Sequence, residues 1–204
     1  MRNSAQLEGE SIIYSSTLPQ YYPPMPITRI ISGGQTGADR GGLEAALYCD
    51  VPHGGWCPKG RKAEDGRIPD RYHVQEMSSA DYLARTEQNV IDSGATVVFT
   101  LGRATGGSLK TIEFAHTHQK PWIHIDVDKM SLEKAVKEIA DWLQGRGDYN
   151  HDEYIAQPPG NVVLNIAGSR ESKADGIQDL VEAIIVDVIR EVNPECKGLY
   201  PMGG

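Results

Sequence analysis

The chain has 204 residues and a formal net charge of −8, with 24% charged and 39% hydrophobic residues. This composition is ordinary for a globular protein, and the acidic balance argues against a nucleic-acid or anionic-membrane partner. No apolar run approaches the roughly 20 residues that a membrane span needs, and residues 1–20 lack the pattern of a signal peptide. Three cysteines without a CxxC pair favour a reducing, cytoplasmic location.

Length and composition favour a single folded domain with two flanking segments. Residues 1–26 are polar and then rich in Tyr and Pro, which predicts an N-terminal arm. Residues 27–193 form the predicted domain, and residues 194–204 form a C-terminal tail.

Strands and helices alternate along the domain. Short β-branched or apolar runs predict five strands, at 27–32, 51–58, 95–101, 121–126 and 161–167. Helical patterns follow them, ending near Asp50, at about 78–93 with Ser78 or Ser79 as the cap, and at 109–119, 131–144 and 173–192. In the second helix the possible buried positions are Tyr82, Leu83, Val90 and Ile91. Residues 59–72 and 145–160 read as loops.

This alternation predicts an α/β fold, Rossmann-like and three-layered, with helices on both faces of a mainly parallel sheet. We expect the strand order 2-1-3-4-5, counted along the chain. That order places the turns after the first and third strands side by side, at the point where such sheets bind ligands.

The turn after the first strand, Ser32–Gly42, contains five glycines and leads into a helix. Glycine lets backbone approach a ligand closely, and the first N–H groups of a helix lack internal partners. Such a turn is a ready anion site, with Thr36 or Asp39 available as the helix cap. A tight turn without a ligand is the alternative.

The turn after the third strand repeats this pattern over Thr105–Glu113. Gly106 and Gly107 precede hydroxyls at Ser108 and Thr111, so both turns would offer donors to one crevice. After the last strand, Arg170 could clamp a phosphate, or pair with Glu171 at the surface.

Basic residues after the second strand offer a further anion contact. Lys59 and Arg61 lie in a cationic stretch of an otherwise acidic chain, although a solvated loop would look the same. Asp39 and Arg40 could contact the ligand or pair with each other.

Glu113 lies one helical turn inside the second site. It could act as a general base, bind a ribose or pterin, or simply suit a helix N-terminus. His116 and His118 are two positions apart and cannot share a helix face, so the sequence predicts no metal site.

Several separated motifs together resemble the molybdenum cofactor carrier family. They are SGGQTGADR at 32–40, HGGWCPKGR at 53–61, AEDG at 63–66, SADY at 79–82, TGGS at 105–108 and NIAGSRESK at 165–173, with Ser169 where the family has Pro. The resemblance covers about residues 27–190. It implies a Rossmann-like fold similar to the lysine-decarboxylase-like "lonely guy" group.

The resemblance also implies a pterin cofactor whose phosphate rests on the Gly-rich loops. Some members of the wider group hydrolyse nucleoside monophosphates, through a motif PGGxGTxxE. Gly106, Gly107 and Glu113 match it, while Thr105, Leu109 and Lys110 depart from it.

The sequence therefore favours a non-catalytic carrier of molybdenum cofactor or of a nucleotide-type ligand. The alternatives are a nucleotide N-glycosidase, using Glu113 with Arg40 or Arg170, and a nucleotide sensor. The predicted binding residues are Gly33, Gly34, Gln35, Thr36, Gly37, Asp39, Arg40, Lys59, Arg61, Thr105, Gly106, Gly107, Ser108, Thr111 and Glu113. We expect a dimer or tetramer, with no nucleic-acid or membrane partner.

Overall fold

The computed structural model describes residues 27–146, 154–155 and 161–194. The predicted arm at 1–26, most of the predicted loop at 145–160 and the tail from 195 onward lie outside the described residues. Within the described ranges, no helix is both long and apolar enough to cross a lipid bilayer.

The structure alternates strands and helices, as predicted. The strands are β1 Ile27–Ile31, β2 His53–Gly54, β3 Trp56–Cys57, β4 Lys62–Ala63, β5 Gly66–Arg67, β6 Gln75–Glu76, β7 Ala95–Thr100, β8 Trp122–Asp126, β9 Tyr154–Ile155 and β10 Val162–Gly168. The helices are α1 Ala38–Tyr48, α2 Tyr82–Asp92, α3 Gly106–Thr117, α4 Leu132–Leu143 and α5 Ile177–Val192, with a 3₁₀ turn at Glu171–Lys173.

The main sheet confirms the fold class and corrects the strand order. Its order is β2-β1-β10-β7-β8-β9, parallel throughout except for the edge strand β9. Counted as the five predicted strands, this is 2-1-5-3-4, because the last strand inserts between the first and the third. The turns after β1 and β7 are therefore separated by the end of β10.

Two helical layers cover the sheet. Helices α1, α4 and α5 pack together on one face, while α2 and α3 pack on the other. Strand β7 has all six residues buried, as a central parallel strand should. Gly41 and Gly42 belong to α1 rather than to the turn, and a Cβ there would collide with α5 and with Ile166. Small residues thus let α1 approach its neighbours closely.

Several element boundaries differ from the sequence prediction. The N-cap of α2 is Asp81, whose side chain accepts from Leu83 N, rather than Ser78 or Ser79. The N-cap of α1 is Gly37, so neither Thr36 nor Asp39 has the predicted capping role. In α2 only Val90 of the four predicted positions is buried, and Tyr82, Leu83 and Ile91 are exposed.

The second predicted strand is broken in two by Gly55, which has a φ of 115°. The first half, β2, joins the main sheet, and the second half, β3, pairs with β6. The segment predicted as a plain loop contains the antiparallel pair β4–β5. This hairpin matters for the site, because it covers the turn after β1.

Candidate functional site

A cavity of about 90 Å³ lies at the carboxyl ends of β1 and β10, between the N-terminal halves of α2 and α3. The chain leaves β10 toward the α1/α5 face and leaves β7 toward the α2/α3 face, so the sheet has its switch point here. The cavity is lined by Gly33, Gln35, Asp39, Tyr82, Leu83, Arg85, Thr86, Asn89, Gly107, Thr111, Asn165, Ile166, Ala167, Gly168 and Arg170.

A buried ion pair forms one wall of the cavity. Arg85 Nη1 lies 3.2 Å from Asp39 Oδ2, and the two side chains are 12% and 7% exposed. The same carboxylate oxygen accepts a bond from Gln35 N. A Cβ on Gly33 would overlap the Arg85 guanidinium, so only glycine allows this close approach.

Burial raises the pKa of Asp39 above its ordinary value, although Arg85, the Gln35 amide and Arg170 act in the opposite direction. Ionised Asp39 therefore has an incomplete set of compensating contacts. The carboxylate takes up a proton more readily than one in water as the pH falls.

Two nitrogen donors in this wall have no partner. They are Gln35 Nε2 and Arg85 Nε, both fully shielded from solvent. The Gln35 amide has a fixed orientation, because its Oε1 accepts from the backbone N–H groups of Thr36 and Glu64. Buried donors without acceptors cost about 1–3 kcal/mol each. Both residues line the cavity.

The opposite wall is the N-terminus of α3. Thr105 caps this helix without a side-chain bond, and nothing lies within 4 Å of the Cβ positions of Gly106 or Gly107. Ser108 and Thr111 are buried, and Thr111 Oγ1 donates to Gly107 O. Of these residues, Gly107 and Thr111 line the cavity. Free N–H groups at a helix start favour an anion.

Glu113 is not part of this wall. Its side chain is 46% exposed and pairs with Lys110 at 2.5 Å on the outer surface of α3. Among the described residues that line the cavity, Asp39 is the only carboxylate. Glu113, the carboxylate named in the hydrolytic alternative, is not among the residues that line the cavity.

The β4–β5 hairpin holds the turn after β1 from outside the cavity. Arg40 makes a bidentate pair with Asp65, at 2.5 and 2.7 Å. Glu64 accepts from the hydroxyl of Thr36 and from the N–H and hydroxyl of Ser172. Thr36 and Arg40 thus attach the turn after β1 to the β4–β5 hairpin.

Two of the glycines in the turn after β1 have a conformational role. Gly34 and Gly37 have φ values of 72° and 79°, in the region that favours glycine. A Cβ on Gly34 would contact the side chain of Ile68, which follows β5. A Cβ on Gly37 would strike the backbone at Ser169. Of the three turn glycines predicted to bind, only Gly33 lines the cavity.

Lys59 and Arg61 lie away from the cavity. Arg61 is buried and donates to four main-chain carbonyls, those of Ile68, Pro69, Tyr72 and Val74. Arg61 therefore stabilises the segment after β5 and does not line the cavity. Lys59 is exposed and is not among the lining residues.

Arg170 reaches the mouth of the cavity from the turn after β10. Its guanidinium lies 5.6 Å from the centre of the Tyr82 ring. It forms no salt bridge with any carboxylate in the described part of the chain, so the pair with Glu171, one of the two alternatives in the sequence analysis, is not formed there. Glu171 instead accepts from Gly176 N and Gln178 N.

The sequence analysis missed Arg85 and misassigned Tyr82. Both lie in α2 and line the cavity with Gly33 and Gly107, although they are more than forty positions from Gly33 in the chain. The spacing Tyr82, Arg85, Asn89 places three side chains on one helix face. That spacing was the available signal, and a charge in such a stripe marks a polar cavity rather than a core.

The fold and the site together define a Rossmann-like ligand-binding protein, with its cavity at the switch point of the sheet. The chain belongs to the circularly permutated YpsA SLOG family, whose model matches residues 30–189. Read from β10 onward, its strand order becomes 3-2-1-4-5, the order of a doubly wound sheet, as a permuted chain requires.

A solved structure agrees with this assignment. The crystal structure of "Putative molybdenum carrier protein" from Syntrophus aciditrophicus SB is similar at 43% sequence identity and a TM-score of 0.70. The match covers 82% of this chain and 96% of that one. It confirms the family resemblance seen in the motifs. No curated protein matches this chain.

Proposed function

We propose that this chain binds a phosphorylated small molecule of the pterin or nucleotide type, without catalysis, and holds the phosphate in the cavity between α2 and α3. The observation that carries the proposal is the pair of buried, unpartnered donors, Gln35 Nε2 and Arg85 Nε. Gln35 and Arg85 both line the cavity, together with Gly107 and Thr111 of α3. A phosphate offers several acceptor oxygens at once.

The balance of charge in the cavity supports an anionic ligand. Arg85 and Arg170 line it against the single carboxylate of Asp39. The backbone of the first turn contributes less than a phosphate loop would, because the amides of Gln35 and Thr36 already donate to side chains. The phosphate contacts proposed here are therefore mainly side chains and the start of α3.

Molybdenum cofactor, a phosphorylated pterin, is one ligand that fits these donors. The relative from Syntrophus aciditrophicus SB carries the words molybdenum carrier in its name, which supports this choice. Gln35, Arg85 and the first turn of α3 would hold its phosphate. The described ranges contain no group of three or more His, Cys, Asp or Glu side chains that could hold a metal ion.

Isothermal titration with inorganic phosphate and guanosine 5′-monophosphate tests the proposal. We expect both to bind the parent, and Arg85→Gln to weaken both by about 10-fold or more, since a charged hydrogen bond contributes about 1.5–3 kcal/mol. Lys59→Gln is the matched control, because it removes the same charge from an exposed site outside the cavity.

Arg85→Lys separates charge from hydrogen-bond geometry, because lysine keeps the charge but lacks Nε. We expect it to recover only part of the affinity, with circular dichroism confirming that each variant is folded. No binding to the parent, or equal losses in Arg85→Gln and Lys59→Gln, would contradict the proposal.

A further inference from the structure

The size of the cavity limits which part of the proposed ligand can lie inside it. Its volume is about 90 Å³, well below the roughly 300–1,000 Å³ of pockets that enclose whole ligands. A tetrahedral oxyanion fits this space. A whole nucleotide or pterin ligand would therefore extend beyond the cavity. The rest of the ligand must therefore lie at or beyond the mouth.

The mouth is apolar and aromatic on its α2 side. Tyr82 and Leu83 both line the cavity, yet they are 39% and 47% exposed. Large apolar side chains at the rim of a polar cavity leave surface that a flat ring could cover. Asp81 is the N-cap of α2, so Tyr82 and Leu83 are the first two residues of the helix.

Arg170 defines how such a ring would be held. Its guanidinium covers the Tyr82 ring at 5.6 Å, and it makes no ion pair within the described residues. Arginine planes and aromatic rings both stack on heterocycles. Tyr82, Leu83 and Arg170 thus form a continuous rim beside the phosphate donors, named here the mouth surface.

We propose that the ligand is an aromatic monophosphate, bound with its phosphate in the cavity and its ring stacked on the mouth surface. This inference rests on the proposed function and fixes the ligand's orientation: phosphate inside, heterocycle outside. One phosphate fills the space beside Arg85 and Gln35. The ring then gains its affinity from Tyr82, Leu83 and Arg170.

Three probes test the orientation: inorganic phosphate, ribose 5-phosphate and guanosine 5′-monophosphate. In Tyr82→Ala we expect the affinity for guanosine 5′-monophosphate to fall about 10-fold, as is usual for loss of one stacking side chain. The affinities for the two ring-free probes should stay unchanged. Tyr82→Phe should retain the parent's affinity for all three, because it keeps the ring face.

Leu109→Ala is the control, since Leu109 is an exposed leucine of α3 that does not line the cavity. Unchanged nucleotide affinity in Tyr82→Ala would overturn the orientation while leaving phosphate binding intact. An equal loss for all three probes would overturn it as well. If none of the probes binds the parent, the proposed function fails, and this inference fails with it.

Discussion

At the scale of single residues, Arg85 and Gln35 each stabilise the protein and also line the cavity. Arg85 neutralises Asp39 and still keeps Nε without an acceptor. Gln35 supports the turn through Oε1, and its Nε2 has no hydrogen-bond partner. We propose that the bound ligand supplies the acceptors that these two donors lack.

Asp39 should make anion binding depend on pH. Because burial raises its pKa, the folded chain takes up a proton at Asp39 above the ordinary value of 3.8. Any stability linked to this proton is present at low pH and is lost as the pH rises through the raised pKa. Protonation also removes the one carboxylate charge among the described residues that line the cavity. Anion affinity should therefore increase as the pH falls.

We expect the affinity of the parent for sulfate to increase by about 10-fold or more as the pH falls from neutral toward the raised pKa of Asp39. The reason is that removing one nearby negative charge, at an effective dielectric of about 20, is worth a few kcal/mol. Sulfate keeps its charge over the same range. The charged groups facing Asp39 are Arg85 and Arg170.

Asp39→Asn should bind sulfate with the same affinity at every pH in this range, as measured by titration calorimetry. Asp128→Asn, an exposed carboxylate away from the cavity, should keep the parent's pH dependence. A parent whose affinity does not change with pH, or an Asp39→Asn variant whose affinity still does, would contradict this role.

Much of the site could be read from the sequence at this scale, and the reason is local. Gly33, Gln35 and Asp39 follow a strand, while Gly107 and Thr111 open a helix, so short-range pattern finds them. Arg40 and Arg61 were given ligand roles because a cation beside a glycine turn looks the same whether it meets a phosphate or a carboxylate. Their partners, Asp65 and the carbonyls near Tyr72, are set by the hairpin.

At the scale of elements, the strand order was the part that the sequence could not supply. Local periodicity located all five main strands, but the place of β10 depends on pairing with β1 and β7, more than sixty residues away in each case. Neighbouring strands in sequence pair only about two-thirds of the time. The α2 helix has the same problem, because Arg85 acquires its role only through tertiary packing.

The permuted order leads to a prediction about chain connectivity. The side chain of Asn193, just after α5, accepts from Ile27 N at 2.8 Å and donates to Ile27 O at 2.9 Å. The end of α5 and the start of β1 are thus neighbours. A chain running 161–194, a linker of about four residues and then 27–160 should fold, because connections of this kind commonly need about 2–6 residues.

Thermal unfolding followed by circular dichroism checks this. The control is residues 27–194 in natural order, which also lacks both flanking segments. We expect the two midpoints to agree within about 4 °C, or roughly 1 kcal/mol for a chain of this size. A control that folds beside a permuted chain that does not would show that the order of elements matters more than their packing.

At the scale of the whole molecule, the site is a positive exception in an acidic protein. The chain carries a formal net charge of −8, whereas the cavity is lined by two arginines and one carboxylate. Surface charge of this sign disfavours polyanions. A small anion that fits a cavity of about 90 Å³ can still bind there, because the cavity is shielded from the negative charge on the rest of the protein.

The central claim is that the cavity between α2 and α3 holds a phosphate. A crystal of the full chain soaked in sulfate or phosphate measures this directly. We predict a tetrahedral anion about 3 Å from both Arg85 Nε and Gln35 Nε2, the distance of a charge-assisted hydrogen bond. Anions bound only elsewhere on the protein, with no density beside these two nitrogens, would contradict the claim.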